Sequence, residues 1–357
     1  MEKDAQPEND SPSGSPGDEV VKTPDPSEAS SQVPPLSSGA DPKKSPGRWF
    51  YQKLKLTAPW IVAAGVLIYV FSKVPVSEVA RQLVVGEVFW LVPLSAIGVF
   101  GLLLLDSFAL WRIVTLFLKP CAYGEILAAR GSSYLLAALN YNAGQGGLVF
   151  LLAKKGISSP WNVTGVVVMS MGLQLVILSL AAGVGTFWGS SSLAGDVFPY
   201  AAVGVVGFLI YLALVQASPR ILKGRPFFDP LLEAGVSAHM KGLLLKAPHL
   251  ITLFFYHWLA MKLFGIHLPL GEGFVRLSIL FFVVALPISV QGLGTGQAAA
   301  VALFSRYSSQ GAPAVVAYSL SLWTLSVLCQ VTLGVLFLKK GVKPATAPLA
   351  ASEKKAP

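Results

Sequence analysis

Asp106 lies inside the apolar run Phe100–Leu110, where a carboxylate has no water to solvate it. An acid placed there is a functional-site candidate by default, for coupling a proton or binding a headgroup. Arg112, a little further along, and Arg130 are the basic residues considered as its partners. A buried Asp–Arg pair with a purely structural role is the plainer reading. Two more groups of polar residues interrupt apolar stretches. The first is Asn140, Asn142 and Gln145 within Asn140-Tyr141-Asn142-Ala143-Gly144-Gln145-Gly146-Gly147. The second is Gln291, Thr295 and Gln297 within Pro287-Ile288-Ser289-Val290-Gln291-Gly292-Leu293-Gly294-Thr295-Gly296-Gln297. Amides and a hydroxyl beside glycines suit binding rather than bond-making. Interrupted helices leave N–H and C=O groups free for a headgroup or phosphate. Gly144, Gly146, Gly147, Gly292, Gly294 and Gly296 would permit the breaks through positive φ and close backbone approach. The competing reading is that the amides only cap the broken helices.

Catalytic signals are thin. No His/Cys/Asp/Glu cluster has metal-ligand spacing, no nucleophile–base pair is apparent, and only nine acids lie outside residues 1–47. The expectation is a protein that is not an enzyme and uses no metal or cofactor. Gln174 and Gln330, in late spans of the two halves, read as interhelical hydrogen-bonding residues. His257, within Phe254-Phe255-Tyr256-His257-Trp258, reads as a packing residue. Arg276 and Arg306 read as interfacial side chains that reach toward headgroups. Cys121 and Cys329 read as packing thiols.

The elements that must position these groups are membrane spans. The chain is 54% hydrophobic and 13% charged, against about 25% charged in soluble domains, and its apolar residues cluster into runs of spanning length. Residues 1–47 are different: nine prolines, four Lys and nine Asp/Glu give an acidic Pro/Ser-rich segment. It is expected to be a disordered cytoplasmic tail with no signal-peptide core. The remainder carries 23 Lys/Arg and 9 Asp/Glu. These cations cluster at the ends of apolar runs, which points to topology anchors and headgroup contacts rather than nucleic acid.

Apolar spans are predicted at 57–72, 88–112, 161–187, 197–217, 243–265 and 314–338. Segments 122–153 and 274–306 are each too long for one span and are broken near the middle. Each is read as a re-entrant helical hairpin, because helices of about 15 residues reach only ~22 Å of a ~30 Å core. Two full spans per segment is the alternative. Basic residues before the first span, at the ends of the first hairpin, in the central loop (Arg220, Lys223, Arg225, Lys241, Lys246) and after the last span place both termini in the cytoplasm. The order span, span, hairpin, span occurs at 57–187 and again, inverted, at 197–338. The predicted fold is an all-α polytopic membrane protein: an inverted repeat with about six spans and two re-entrant hairpins over 48–340, and a cytoplasmic tail at 341–357. Inverted repeats with broken helices are a transporter architecture, with the binding site at the repeat interface.

At these breaks the sequence resembles the flippase-like transmembrane domain of lysylphosphatidylglycerol synthases and related stand-alone membrane proteins, over roughly 50–340. The segment Leu139–Leu148 is similar to that family's Asn-rich approach to a Pro-Gly-Arg-x-Gly-Glu-like break. Val290–Gln297, followed by a small-residue run from Ala298, is similar to its Pro-Gly-Gly-Leu-Gly-x-x-Glu break. Gln145 stands where the family tends to have Arg, and Leu148 and Gln297 stand where it tends to have Glu. Gly172 and Trp323 lie near positions where it has Arg. The resemblance implies movement of a lipid or lipid-linked headgroup between leaflets of a bacterial inner membrane, through a polar cavity between the hairpins. Its partners would be membrane lipids with anionic or lipid-linked headgroups, and not nucleic acid. Asn140, Asn142, Gln145, Gln291, Thr295 and Gln297 would contact the headgroup, with Asp106 and Arg130 contributing charge. The alternative is a non-transporting scaffold or accessory subunit for a lipid-modifying enzyme, engaging a protein partner through the cytoplasmic tail or loops.

Overall fold

The computed structural model describes residues 46–83, 89–188, 194–285 and 289–343. The chain divides into residues 1–51 and 52–357, and the second unit contains the helical assembly. The expected tails fall almost wholly outside the described residues, as do Pro287 and Ile288 of the second break. Among the described residues the regular elements are helices, with one isolated antiparallel bridge between Ile266 and Ser308. In chain order they are α1 (Pro46–Lys73), α2 (Val76–Leu83), α3 (Leu91–Phe117), α4 (Tyr123–Leu139), α5 (Tyr141–Lys154), α6 (Pro160–Trp188), α7 (Ala194–Ala217), α8 (Asp229–Leu263), α9 (Leu270–Ala285), α10 (Thr295–Phe304) and α11 (Ala312–Val342).

Among the described residues the protein is all-α, with five helices long and apolar enough to cross a membrane: α3, α6, α7, α8 and α11. The apolar part of α1, from Trp60, makes a sixth candidate only together with α2, which bends away from it by 92°. Pro75 sits at that corner; it disfavours the helical conformation of the residue before it and starts the next helix. On α2, Val76, Val79 and Leu83 share one face while Glu78, Arg81 and Gln82 take the other. That pattern suits a helix lying in a membrane interface.

The largest departure is α8. The hydrophobic run predicts a span from 243, with Lys241 and Lys246 in or beside a loop. The helix instead starts at Asp229, with a break in geometry at Gly235 (φ 68°, ψ 175°). His239, Gly242, Leu243, Lys246 and Leu250 are buried together at helical spacing. Lys246 therefore belongs to the packed face of a span.

Three apolar clusters hold the unit together. One joins α3, α8, α9, α10 and α11 around Tyr318, Phe304 and Met261. A second joins α3, α6, α7 and α8 around Ile113 and Leu173. The third seats α4 and α5 against α3 and α6 through Ile126, Leu148 and Val163. α4 packs most extensively on α11, and small residues set that seam. A Cβ on Gly334 would stand 2.6 Å from Leu135 Cγ, and one on Gly131 would stand 2.6 Å from Phe337 Cγ. Close backbone approach through glycine is a common way to join helices in a bilayer. Lys155 closes the same seam, donating to the carbonyls of Lys343 (2.8 Å) and Lys340 (3.3 Å) at the end of α11.

Gly334→Val should therefore lower stability by about 1–3 kcal/mol through overpacking. Gly207→Val on α7, where a side chain meets nothing within 4 Å, should not; thermal unfolding of both variants in detergent compares them.

Candidate functional site

Asp106 is the centre of a buried ion cluster assembled from three helices. It lies on α3 and is 2% exposed. Its Oδ1 accepts a hydrogen bond from Lys246 Nζ of α8 at 2.6 Å. Its Oδ2 lies 2.6 Å from Arg130 Nε of α4. Arg130 Nη1 donates to Gln145 Oε1 of α5 at 3.2 Å, and the guanidinium lies 5.8 Å from the Tyr134 ring centroid. One carboxylate thus faces two cations, so the cluster carries a net positive charge.

A small polar cavity of about 20 Å³ opens beside it, lined by Asp106, Arg130, Gln145, Ser170, Gln174 and Lys246. The face of α5 turned to the cavity carries Tyr141, Gln145 and Leu148. A cavity of this size accommodates about one water. It is too small for a phosphate-bearing headgroup without movement of the helices around it.

The first break is narrower than the sequence suggests. Asn140 alone is extended (φ −162°, ψ 130°), and its Oδ1 accepts from the N–H groups of Asn142 (2.9 Å) and Ala143 (3.2 Å). It is the N-cap of α5. Gly144, Gly146 and Gly147 lie inside α5, so their assignment as helix-breaking residues is corrected. Gly144 instead admits the backbone of Ala137, and Gly147 admits the Leu136 side chain, letting α5 lie close on α4. Asn142 is exposed on the first turn.

The second break is a true backbone irregularity. Gly292 and Gly294 adopt φ of 76° and 80°, and a Cβ on Gly294 would lie 2.7 Å from the Ala63 carbonyl of α1. Gly296 is helical, within α10, and is likewise corrected. Gln297, 2% exposed, accepts from the Gly294 N–H at 2.5 Å and so caps the start of α10. Thr295 Oγ1 and Ser289 Oγ are 2.7 Å apart across the break.

Gln291 joins the two breaks. It holds a left-handed backbone (φ 48°, ψ 34°), a conformation that persists in a non-glycine residue only when its surroundings enforce it. Its Nε2 donates to the Ala137 carbonyl in the last turn of α4 and to Gln330 Oε1 of α11 (3.4 Å). Its own carbonyl accepts from Trp323 Nε1 at 3.3 Å.

The structure therefore brings together Asp106, Arg130 and Gln145 of the candidates, and adds Lys246, Ser170 and Gln174. It holds Asn140, Gln291, Thr295 and Gln297 in the internal bonding of the breaks. Sequence reasoning misses Lys246 as a site residue although two signals point to it: its helical spacing with His239 and Leu243, and the need of an intramembrane acid for a cation. Arg276 is buried rather than interfacial. Its Nε donates to Glu272 Oε2 (2.8 Å) and its Nη1 to the Leu303 carbonyl (3.2 Å), tying α9 to α10. His257 Nδ1 lies 2.7 Å from Tyr318 Oη, among aromatic rings. Among the described residues no group of three or more His, Cys, Asp or Glu side chains could hold a metal ion.

Asp106→Asn should destabilise the fold by roughly 3–5 kcal/mol, because it leaves two buried cations without their counter-charge. Adding Lys246→Met should recover much of that loss by restoring the original net charge; chemical unfolding of the single and double variants measures both. Comparison with models of protein families, with curated proteins and with solved structures gives no match.

Proposed function

We propose that this chain is a lipid-handling membrane transporter that takes an anionic or lipid-linked headgroup into the cavity beside Asp106 while the acyl chains stay in the bilayer. One observation carries the reading: Asp106 compensates only one of the two cations that meet it inside the helical assembly, the buried Lys246 and the partly buried Arg130. An uncompensated charge is expensive inside a membrane, and a single phosphodiester would neutralise it. Gln145, bonded to Arg130 and facing the cavity, would share the headgroup. In this reading α4–α5 and α9–α10 are the two re-entrant hairpins of an inverted repeat, 57–187 and 197–338. The Gln291–Ala137 bond would couple them. The cavity as it stands is too small for a headgroup, and loading would require α4 and α5 to shift against α8. The protein would reside in a bacterial inner membrane with both termini cytoplasmic, and it would carry out no chemistry on the lipid.

A second reading is an accessory subunit of a lipid-modifying enzyme. It is favoured by the break amides of Asn140, Gln291 and Gln297 being occupied with internal hydrogen bonds.

The two readings separate in proteoliposomes. Wild type should move a fluorescent anionic phospholipid between leaflets, and Gln145→Leu should slow it about tenfold, the effect of losing one hydrogen bond to a charged group. Asn142→Ala, on the exposed turn, should leave the rate unchanged. A wild-type rate no higher than that of empty vesicles would favour the accessory-subunit reading.

A further inference from the structure

A second hollow lies away from the Asp106 cluster, between α8 and α9. It measures about 160 Å³ and is lined only by apolar residues, among them Ile251, Phe255 and Trp258 of α8 and Leu270, Phe274 and Leu277 of α9. On both helices the lining residues recur at helical spacing, so each contributes one continuous stripe. Gly273, on the α9 stripe, leaves the space between them open: a Cβ there would meet only Leu268 Cδ2, at 3.7 Å. The hollow communicates with the lipid-facing surface, since Ile251, Phe255 and Leu270 are all about half exposed. Phe254, packed on Phe274 and Phe281 at 5.4 and 5.3 Å, forms its floor.

Its length and its rim identify an occupant. From Ile251 to Trp258, the stretch of α8 that lines the hollow, the helix rises roughly 10 Å, which lies within one leaflet of a ~30 Å hydrocarbon core. An apolar cavity of about 150 Å³ stays dry and takes up a hydrocarbon the size of benzene, so this hollow suits a segment of an acyl chain. At its mouth Lys262 Nζ stands 3.6 Å above the Trp258 ring, and Trp258 is itself fixed by donating to the Leu268 carbonyl at 2.9 Å. The exposed Lys262 ammonium makes this end of the groove positive, and no acidic side chain lines the hollow.

We infer that the α8–α9 groove is a seat for a resident anionic phospholipid, with an acyl chain against Phe255, Trp258 and Phe274 and the phosphate at Lys262. The seat is distinct from the Asp106 cavity and stands whether or not the chain moves lipid.

The test uses the full chain reconstituted in phosphatidylcholine vesicles containing a minor fraction of phosphatidylglycerol with a diazirine on its acyl chain. After illumination, labelled peptides are mapped by mass spectrometry. The expected result is labelling concentrated at 251–258 and 270–277, above that on the lipid-facing surfaces of α7 and α11. Lys262→Gln should lower it about fivefold, the weight of one basic charge at an anionic surface. Gly273→Trp, which fills the hollow, should abolish it. Lys262 is exposed, so its variant should fold even where the tryptophan variant does not. Labelling spread evenly over all lipid-facing helices would overturn the assignment. So would equal groove labelling by the corresponding phosphatidylcholine probe, or labelling indifferent to Lys262→Gln.

Discussion

The arrangement of α3, α4 and α8 depends on the intolerance of a low-dielectric interior for unpaired charge. Asp106 could not sit where it does without a counter-ion, and neither Arg130 nor Lys246 could be buried without it. The three side chains come from two consecutive helices, α3 and α4, and from α8 far along the chain, so their pairing fixes how those helices meet. Excess positive charge then remains at one place, beside α5 and a small polar cavity. The same cluster that specifies packing therefore creates a preference for an anion.

The irregular backbone obeys a related constraint. A broken helix in a bilayer must find partners for its free polar groups, and both breaks do so with side-chain amides. Asn140 caps α5, Gln297 caps α10, and Gln291 reaches across to the end of α4. Each break is thus held in one conformation, and Gln291 links them. A headgroup reaching these amides would have to displace existing hydrogen bonds, whereas Gln145 already faces the cavity. The polar residues at the breaks consequently divide into those that hold the architecture and Gln145, which lines the cavity.

The spans are legible in the sequence because a hydrophobic run of bilayer length is seldom needed outside a membrane; α3, α6, α7 and α11 lie close to their predicted positions. The breaks are legible in place but not in kind. Glycine density marks both, yet Gly144 and Gly147 allow close approach between helices without leaving the helical conformation. Only at Gly292 and Gly294 does the chain need positive φ. Composition does not distinguish these two uses of glycine; the neighbours Ala137 and Ala63, each on another helix, decide it. Lys246 and Arg276 depart from expectation for one reason. The rule that a basic residue marks a membrane edge fails where a nearby carboxylate neutralises it: Asp106 for Lys246, Glu272 for Arg276.

The central claim is that the Asp106 cluster has spare positive charge available to an anionic lipid. Native mass spectrometry of the purified chain, offered equal amounts of phosphatidylglycerol and phosphatidylcholine, tests it most directly when wild type is compared with Lys246→Gln. Wild type should retain phosphatidylglycerol both at the cluster and at Lys262, whereas the variant, its cluster neutral, should retain one copy fewer, only that held at Lys262. Identical lipid retention by the two proteins would contradict it.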